Sequence, residues 1–304
     1  MLYDIRLTIG YSYPVPAVGG RHLLRLEPLE RPGLQKCLTR RLTVTPEPVE
    51  WHHRRDFFGN DTVEITLASP HSECRFESVA RVERHGSDRL LDVSPRPADL
   101  ARYIGAARGL DPHSPHHFTG PSPRITPHVE MTHWARHATA GAATTLDTVR
   151  ALGERIHEEF TFDPNATDVH TEALAAFRRR EGVCQDFTHV MIACLRGVGI
   201  PAGYVSGFLR TVPPEGQPRL EGADAMHAWV RAWCGPQMGW VEYDPTNALQ
   251  VSADHMVVAC GRDYADVAPV RGVMRTSGEQ VTRQSVDVLL VNEPDQPGSV
   301  PVIT

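Results

Sequence analysis

The chain is almost without lysine: Lys36 is the only one among 31 basic residues, and the rest are arginines. Such a bias is the mark of a GC-rich coding genome rather than of a function. Basic charge does not prevail either. Lys and Arg number 31 against 37 Asp and Glu, a net charge of −6, so there is no basic stripe and nucleic acid is not an expected partner. No apolar run approaches the ~20 residues of a membrane span. The opening stretch MLYDIRLTIGYSYPVP carries Asp4 and Arg6 and alternates like a strand, which is not the pattern of a signal peptide. Paired cysteines are missing too. Cys37, Cys74, Cys184, Cys194, Cys234 and Cys260 form no CxxC and have no regular spacing, which excludes a zinc knuckle and a disulfide framework. A cytoplasmic protein with reduced thiols is expected. Internal repeats and low-complexity segments are likewise absent.

What is present is an ordinary globular composition, 41% hydrophobic and 22% charged over 304 residues, enough for one large domain or two. Residues 1–105 read as all-β. The segments YDIRLTIGYSY, HLLRLEPL, QKCLTRRLTVTP, NDTVEITLA and ECRFESVARVERHG alternate apolar and polar residues between turn signals, the pattern of an antiparallel β-sandwich. Residues 106–127 form a connector broken by Pro112, Pro115, Pro121, Pro123 and Pro127. In residues 128–304 the period changes. TTLDTVRALGERIHEEF and TEALAAFRRR predict helices, and a third covers 184–198, ending at Gly199 and Pro201. AGYVSGFLR, AMHAWVRAWC, GWVEYDPT, DHMVVACGRDY, GVMRTSG and QSVDVLLVN then predict strands. Helices followed by antiparallel strands make this an α+β domain.

The third helix, in EGVCQDFTHVMIACLRGVGIP, raises a question. Phe187, Val190, Met191, Cys194, Leu195 and Val198 already fill its apolar face, yet Cys184 stands where it begins. A helix N-terminus favours the thiolate, which is the nucleophilic form. A small buried side chain is the plainer account of one cysteine, and it suffices for Cys194. Gly182 shifts the balance at Cys184, since a glycine lets another group approach the backbone. A thiol nucleophile needs a base and the base an orienting acceptor. His227 in AMHAWVRAW and Asp244 at the end of GWVEYDP lie on consecutive predicted strands that can bring them into hydrogen-bonding reach. Alone, His227 is a strand histidine and Asp244 a turn opener; with Cys184 they form a candidate triad.

GVCQDFTHVMIACLRGVGIPAGYVSGFL, HAWVRAW and GWVEYDPTN resemble the three signature blocks of the transglutaminase-like superfamily, whose core is papain-like. YDIRLTIGYSYPVP and VVACGRDYADVAPVRGV resemble its bacterial branch, which carries an N-terminal β domain. The resemblance implies a nucleophile at Cys184, a base at His227 and an orienting acid at Asp244, with no cofactor or metal. It implies a thioester-forming enzyme acting on a peptide or protein substrate, with a cysteine peptidase or amidase expected first. The alternatives are a transglutaminase or amine N-acyltransferase, and a catalytically idle binding module, against which the retained triad counts. One position departs from the pattern. Papain-type enzymes carry a Gln six residues before the cysteine as an oxyanion donor, and Arg178 stands there; no Trp stands between 135 and 228 to replace it. The Cys184 backbone N–H is the expected first donor, and the second is unassigned. Gln185 and Asp186 are candidates to line the cleft, with helix capping the simpler role for Asp186.

The remaining histidines invite a metal reading that the spacing does not support. His113, His116 and His117 lie in the Pro-broken connector. His133 and His137 share a helix face but read His-Trp-Ala-Arg-His, without the Glu of HExxH. DPNATD at 163–168 lacks the Gly and Glu of an EF-hand. Trp229 and Trp233 fall on the His227 face of their strand, so one of them is a candidate wall of the cleft, though core packing is the commoner role.

Overall fold

The computed structural model describes residues 1–86, 91–211, 222 and 224–291. Strand β1, Leu2–Leu24, alternates as its sequence requires, with Tyr3, Ile5, Leu7 and Ile9 all buried on one face. It is followed by β2 (Gln35–Thr45), β3 (Glu50–Arg55), β4 (Asp61–Leu67) and β5 (His71–Arg84). What reads as two strands at the N-terminus is one strand that changes partners. Its first half, Tyr3–Ser12, pairs with β5, and after a register shift between Ser12 and Ala17 its second half, Leu24 included, pairs with β4. Such irregularities let one strand serve two layers. Between those layers His22 meets Phe76 edge-on at 5.8 Å.

Helix α1 (Pro97–Ala106) lies inside the stretch read as all-β. Pro97 at its first turn starts it, but only Leu100 is buried, too little to give an apolar stripe. A single 3-10 turn, Pro115–Phe118, interrupts the connector. Helices α2 (Val129–Ala138), α3 (Thr145–Glu159), short strand β6 (Thr161–Phe162), α4 (Ala173–Arg179), short strand β7 (Glu181–Gly182) and α5 (Cys184–Gly197) come next. Strands β8 (Ala202–Leu209), β9 (Ala225–Trp233), β10 (Trp240–Asp244), β11 (Leu249–Gln250) and β12 (His255–Gly261) form an antiparallel sheet in the order β11-β10-β9-β8-β12. The protein is thus α+β, with α5 at the centre of its second half: every residue from Gln185 to Arg196 is buried.

The C-terminal strands depart from the expected boundary. After helix α6 (Tyr264–Val267), β13 (Val270–Arg275) and β14 (Val281–Leu290) pair with the second and first halves of β1. Residues 270–290, placed by their sequence with the 128–304 unit, therefore complete the N-terminal β unit, which has seven strands. Strand periodicity reports which face is buried and says nothing of which partner is chosen. No helix among the described residues is long and apolar enough to cross a membrane.

Candidate active site

The start of α5 is built from backbone geometry. Arg180 ends α4 in the left-handed region at φ 57°. Gly182 follows with φ 156°, where an added Cβ would come within 2.6 Å of Asp186 Oδ2. The group that the glycine admits is thus the carboxylate of Asp186. That carboxylate accepts the Val183 N–H at 2.9 Å and the Thr167 hydroxyl at 2.6 Å, both on Oδ2. It is half of a capping box and closes the helix start. The backbone N–H groups of Cys184 and Gln185 find no acceptor among the described residues, as expected of the first turn of a helix.

Three further residues meet on one face of the second sheet. Tyr243 of β10 pairs with Val230 of β9, so Asp244 lies opposite Trp229 and diagonal to His227, within reach across the pair. His227 Nε2 is 2.7 Å from Asp244 Oδ2. The Cys184 thiol, at the start of α5, acts electrostatically on the same imidazole. Asp244 is fully buried and surrounded by donors. Oδ1 accepts the backbone N–H groups of Thr246 and Asn247 at 2.9 and 3.2 Å, and Oδ2 also accepts Asn247 Nδ2 at 2.7 Å. A turn opener and a histidine acceptor are therefore one residue, with one oxygen for each task.

Sequence reading missed the fifth donor. His255, the first residue of β12, places Nε2 3.2 Å from Asp244 Oδ2. In sheet order β12 is three strands from β10, about 14 Å in a flat sheet. Contact at 3.2 Å requires the sheet to curl, and it curls around Trp229, which is fully buried and edge-on to His255 at 5.1 Å. Trp229 also donates to Glu242 Oε2 at 2.8 Å. It packs beside the histidines and has no surface to offer a cleft.

The electrostatics follow from this packing. Burial disfavours the His227 imidazolium, but the bonds and charges of Asp244 and Cys184 outweigh it and hold His227 up at about 10. Burial would raise Asp244; the bonds from His227, His255 and Asn247 with the His227 charge hold it well below the usual carboxylate range. The other five cysteines are all pushed up by burial, Cys74 and Cys234 to about 12. Cys184 is partly accessible, and all six thiols are free.

Among the other candidates, Arg178 is exposed and held by Glu130 at 2.8 Å. Gln185 donates to the Val169 carbonyl at 3.3 Å. His116 and His117 bond backbone carbonyls of Ala107 and Leu110 at 2.8 and 3.1 Å, and His113 Nδ1 lies 3.4 Å from Arg231. The one group of three possible metal ligands among the described residues is His227, Asp244 and His255 itself.

Residues 132–245 match the transglutaminase-like superfamily core, and residues 3–83 match the bacterial transglutaminase-like N-terminal region. An uncharacterized protein of Mycobacterium tuberculosis is 36% identical over 269 residues, 84% of this chain and 82% of that one. The chain belongs to the transglutaminase-like superfamily. An uncharacterized protein of Mycobacterium leprae is 29% identical over 273 residues, 88% of this chain and 91% of that one. The fold is that of a candidate cysteine protease of Cytophaga hutchinsonii, with a TM-score of 0.71, 20% identity, and coverage of 99% of this chain and 94% of that one. Membership in the transglutaminase-like superfamily makes this a thiol-dependent enzyme in general terms.

Proposed function

We propose that the protein is a cysteine peptidase or amidase that works through a Cys184 thioester. The observation that carries this reading is the 2.7 Å bond between His227 and a fully buried Asp244, with the Cys184 thiol at a helix start acting electrostatically on the same imidazole. The Cys184 sulfur attacks the carbonyl carbon of an amide. The carbonyl oxygen becomes an oxyanion that the free N–H of Cys184 stabilises, with that of Gln185 as the second donor. The C–N bond breaks as the His227 imidazolium gives its proton to the leaving amine. Water then attacks the thioester, His227 takes the water proton, and the acid leaves with the thiol restored. Asp244 holds the ring and its charge throughout. Water is the proposed acceptor because no sequence feature marks an amine site, and the free thiols fit the proposed cytoplasmic setting.

Brief exposure to iodoacetamide at neutral pH, read by mass spectrometry, tests the nucleophile. Cys184 should be alkylated about 100-fold faster than any other cysteine; comparable labelling of Cys37 would sink the assignment. Incubation with a peptide library, with and without a small amine, then separates hydrolysis from transfer. Turnover should be unchanged by EDTA, and a stoichiometric metal whose removal abolishes it would reassign His227, Asp244 and His255 as ligands.

A further inference from the structure

At the other end of β12 lies a cavity that the chemistry above does not use. His255 opens the strand and Gly261 closes it, about 20 Å apart at the rise of a strand. Beyond Gly261 a cavity of about 460 Å³ opens between the two halves of the molecule. Arg25, from the end of β1, lines it together with Arg262, Asp266 and Arg271. The turn between β3 and β4 supplies Asp56 and Phe57, and the connector supplies His117.

Its charges do not cancel. Arg262 is held by Asp266 in a two-pronged pair at 2.8 and 3.0 Å. Arg25 binds Asp56 through Nε at 3.1 Å. That leaves Arg271, which is exposed and has no acidic partner among the described residues. Arg25 itself is 7% exposed, and its buried Nη1 has no hydrogen-bond partner. A buried guanidinium N–H without an acceptor is a donor awaiting one, and the planar fork of Arg suits carboxylate and phosphate. Beside the arginines, Phe57 is 55% exposed and stands edge-on to His117 at 5.0 Å. An exposed ring next to uncompensated positive charge offers a stacking face for a flat group.

We infer that this cavity binds a small ligand that carries an oxyanion, carboxylate or phosphate, next to a flat ring, held by Arg271 and Arg25 and stacked on Phe57. The inference goes beyond the acyl-transfer reading and does not depend on it. Calorimetric titration of the full chain tests it with phenyl phosphate, benzoate, inorganic phosphate and benzyl alcohol. One of the two aryl anions should bind one-to-one and about tenfold tighter than inorganic phosphate, with benzyl alcohol silent; which anion binds tells phosphate from carboxylate. Arg271→Gln, at an exposed position, should weaken that binding about tenfold without moving the thermal midpoint. The inference is overturned if neither aryl anion binds, if the ring adds nothing over inorganic phosphate, if benzyl alcohol binds as well, or if Arg271→Gln leaves binding unchanged.

Discussion

Two buried aspartates flank the ends of the Cys184–His227 contact, and burial has opposite outcomes for them. Asp186, 2% exposed at the start of α5, is raised: burial prevails over the bonds from Thr167 and Val183. Asp244, fully buried at the end of β10, is lowered, because burial loses to its donors and to the charge of His227. The difference lies in how the oxygens are used. Asp186 takes both the Thr167 hydroxyl and the Val183 N–H on one oxygen. Asp244 faces donors on both, two on Oδ1 and three on Oδ2. Depth of burial thus sets the cost of a charge, and the number of donors decides whether it is kept.

The comparison breaks first at Asp244→Asn. An amide has one acceptor and one donor end, so either orientation aims an N–H₂ at groups that are already donors. The variant should lose about 10³- to 10⁴-fold in turnover of the best library peptide, because the ring loses its tautomer and its counter-charge. It should also lose about 1–3 kcal/mol of stability through the unmatched buried donors. Turnover within a few-fold of the parent would mean that another group orients His227.

pH separates the two ends of the same pair. The folded value of His227 is raised from 6.5 to about 10, so its contribution to stability is fully present below 6.5 and is lost as pH rises through about 10. Asp244 is lowered from 3.8, so its contribution is present above that value and is lost as pH falls through the depressed one. Denaturant unfolding at about pH 6 and about pH 10 should therefore show an alkaline loss on the order of a few kcal/mol, absent from His227→Gln. Parallel loss in both proteins would place the alkaline titration elsewhere.

His255→Phe probes the fifth donor. Phenylalanine keeps the edge-on contact with Trp229 and removes the Nε2 bond to Asp244. Turnover should fall about tenfold. Unchanged turnover would make His255 a packing residue only. This is also where the sequence was least legible. Cys184, His227 and Asp244 could be read because each sits in a stretch whose helix start, strand alternation or turn is local. His255 opens an apolar strand with no local signal; its role exists only because the sheet curls and joins strands three apart. The pairing of β13 and β14 with β1 was hidden for the same reason, since alternation records a buried face and not the distant strand that covers it. Helix α1 was hidden differently, by burying one side chain where a stripe is needed.

The smallest effect is expected at the other carboxylate. Because Oδ2 of Asp186 takes both Thr167 and Val183, an asparagine can present its single carbonyl oxygen to the same two donors and turn its amide toward the side where Oδ1 stood. The raised folded value of Asp186 means that its neutral form is the one favoured by folding: that stabilisation is present below 3.8 and is lost as pH rises through the folded value. The Asp186→Asn side chain would stay neutral at every pH. That substitution should therefore change stability by less than about 1 kcal/mol at neutral pH, and turnover by less than about fivefold. Asp186→Ala should cost more, about 1–2 kcal/mol, since it strips the helix start of its cap. Thermal unfolding of both variants beside Asp244→Asn checks the ordering. If Asp186→Asn is as damaging as Asp244→Asn, oxygen usage is not what divides the two carboxylates, and the charge of Asp186 itself is needed beside Cys184.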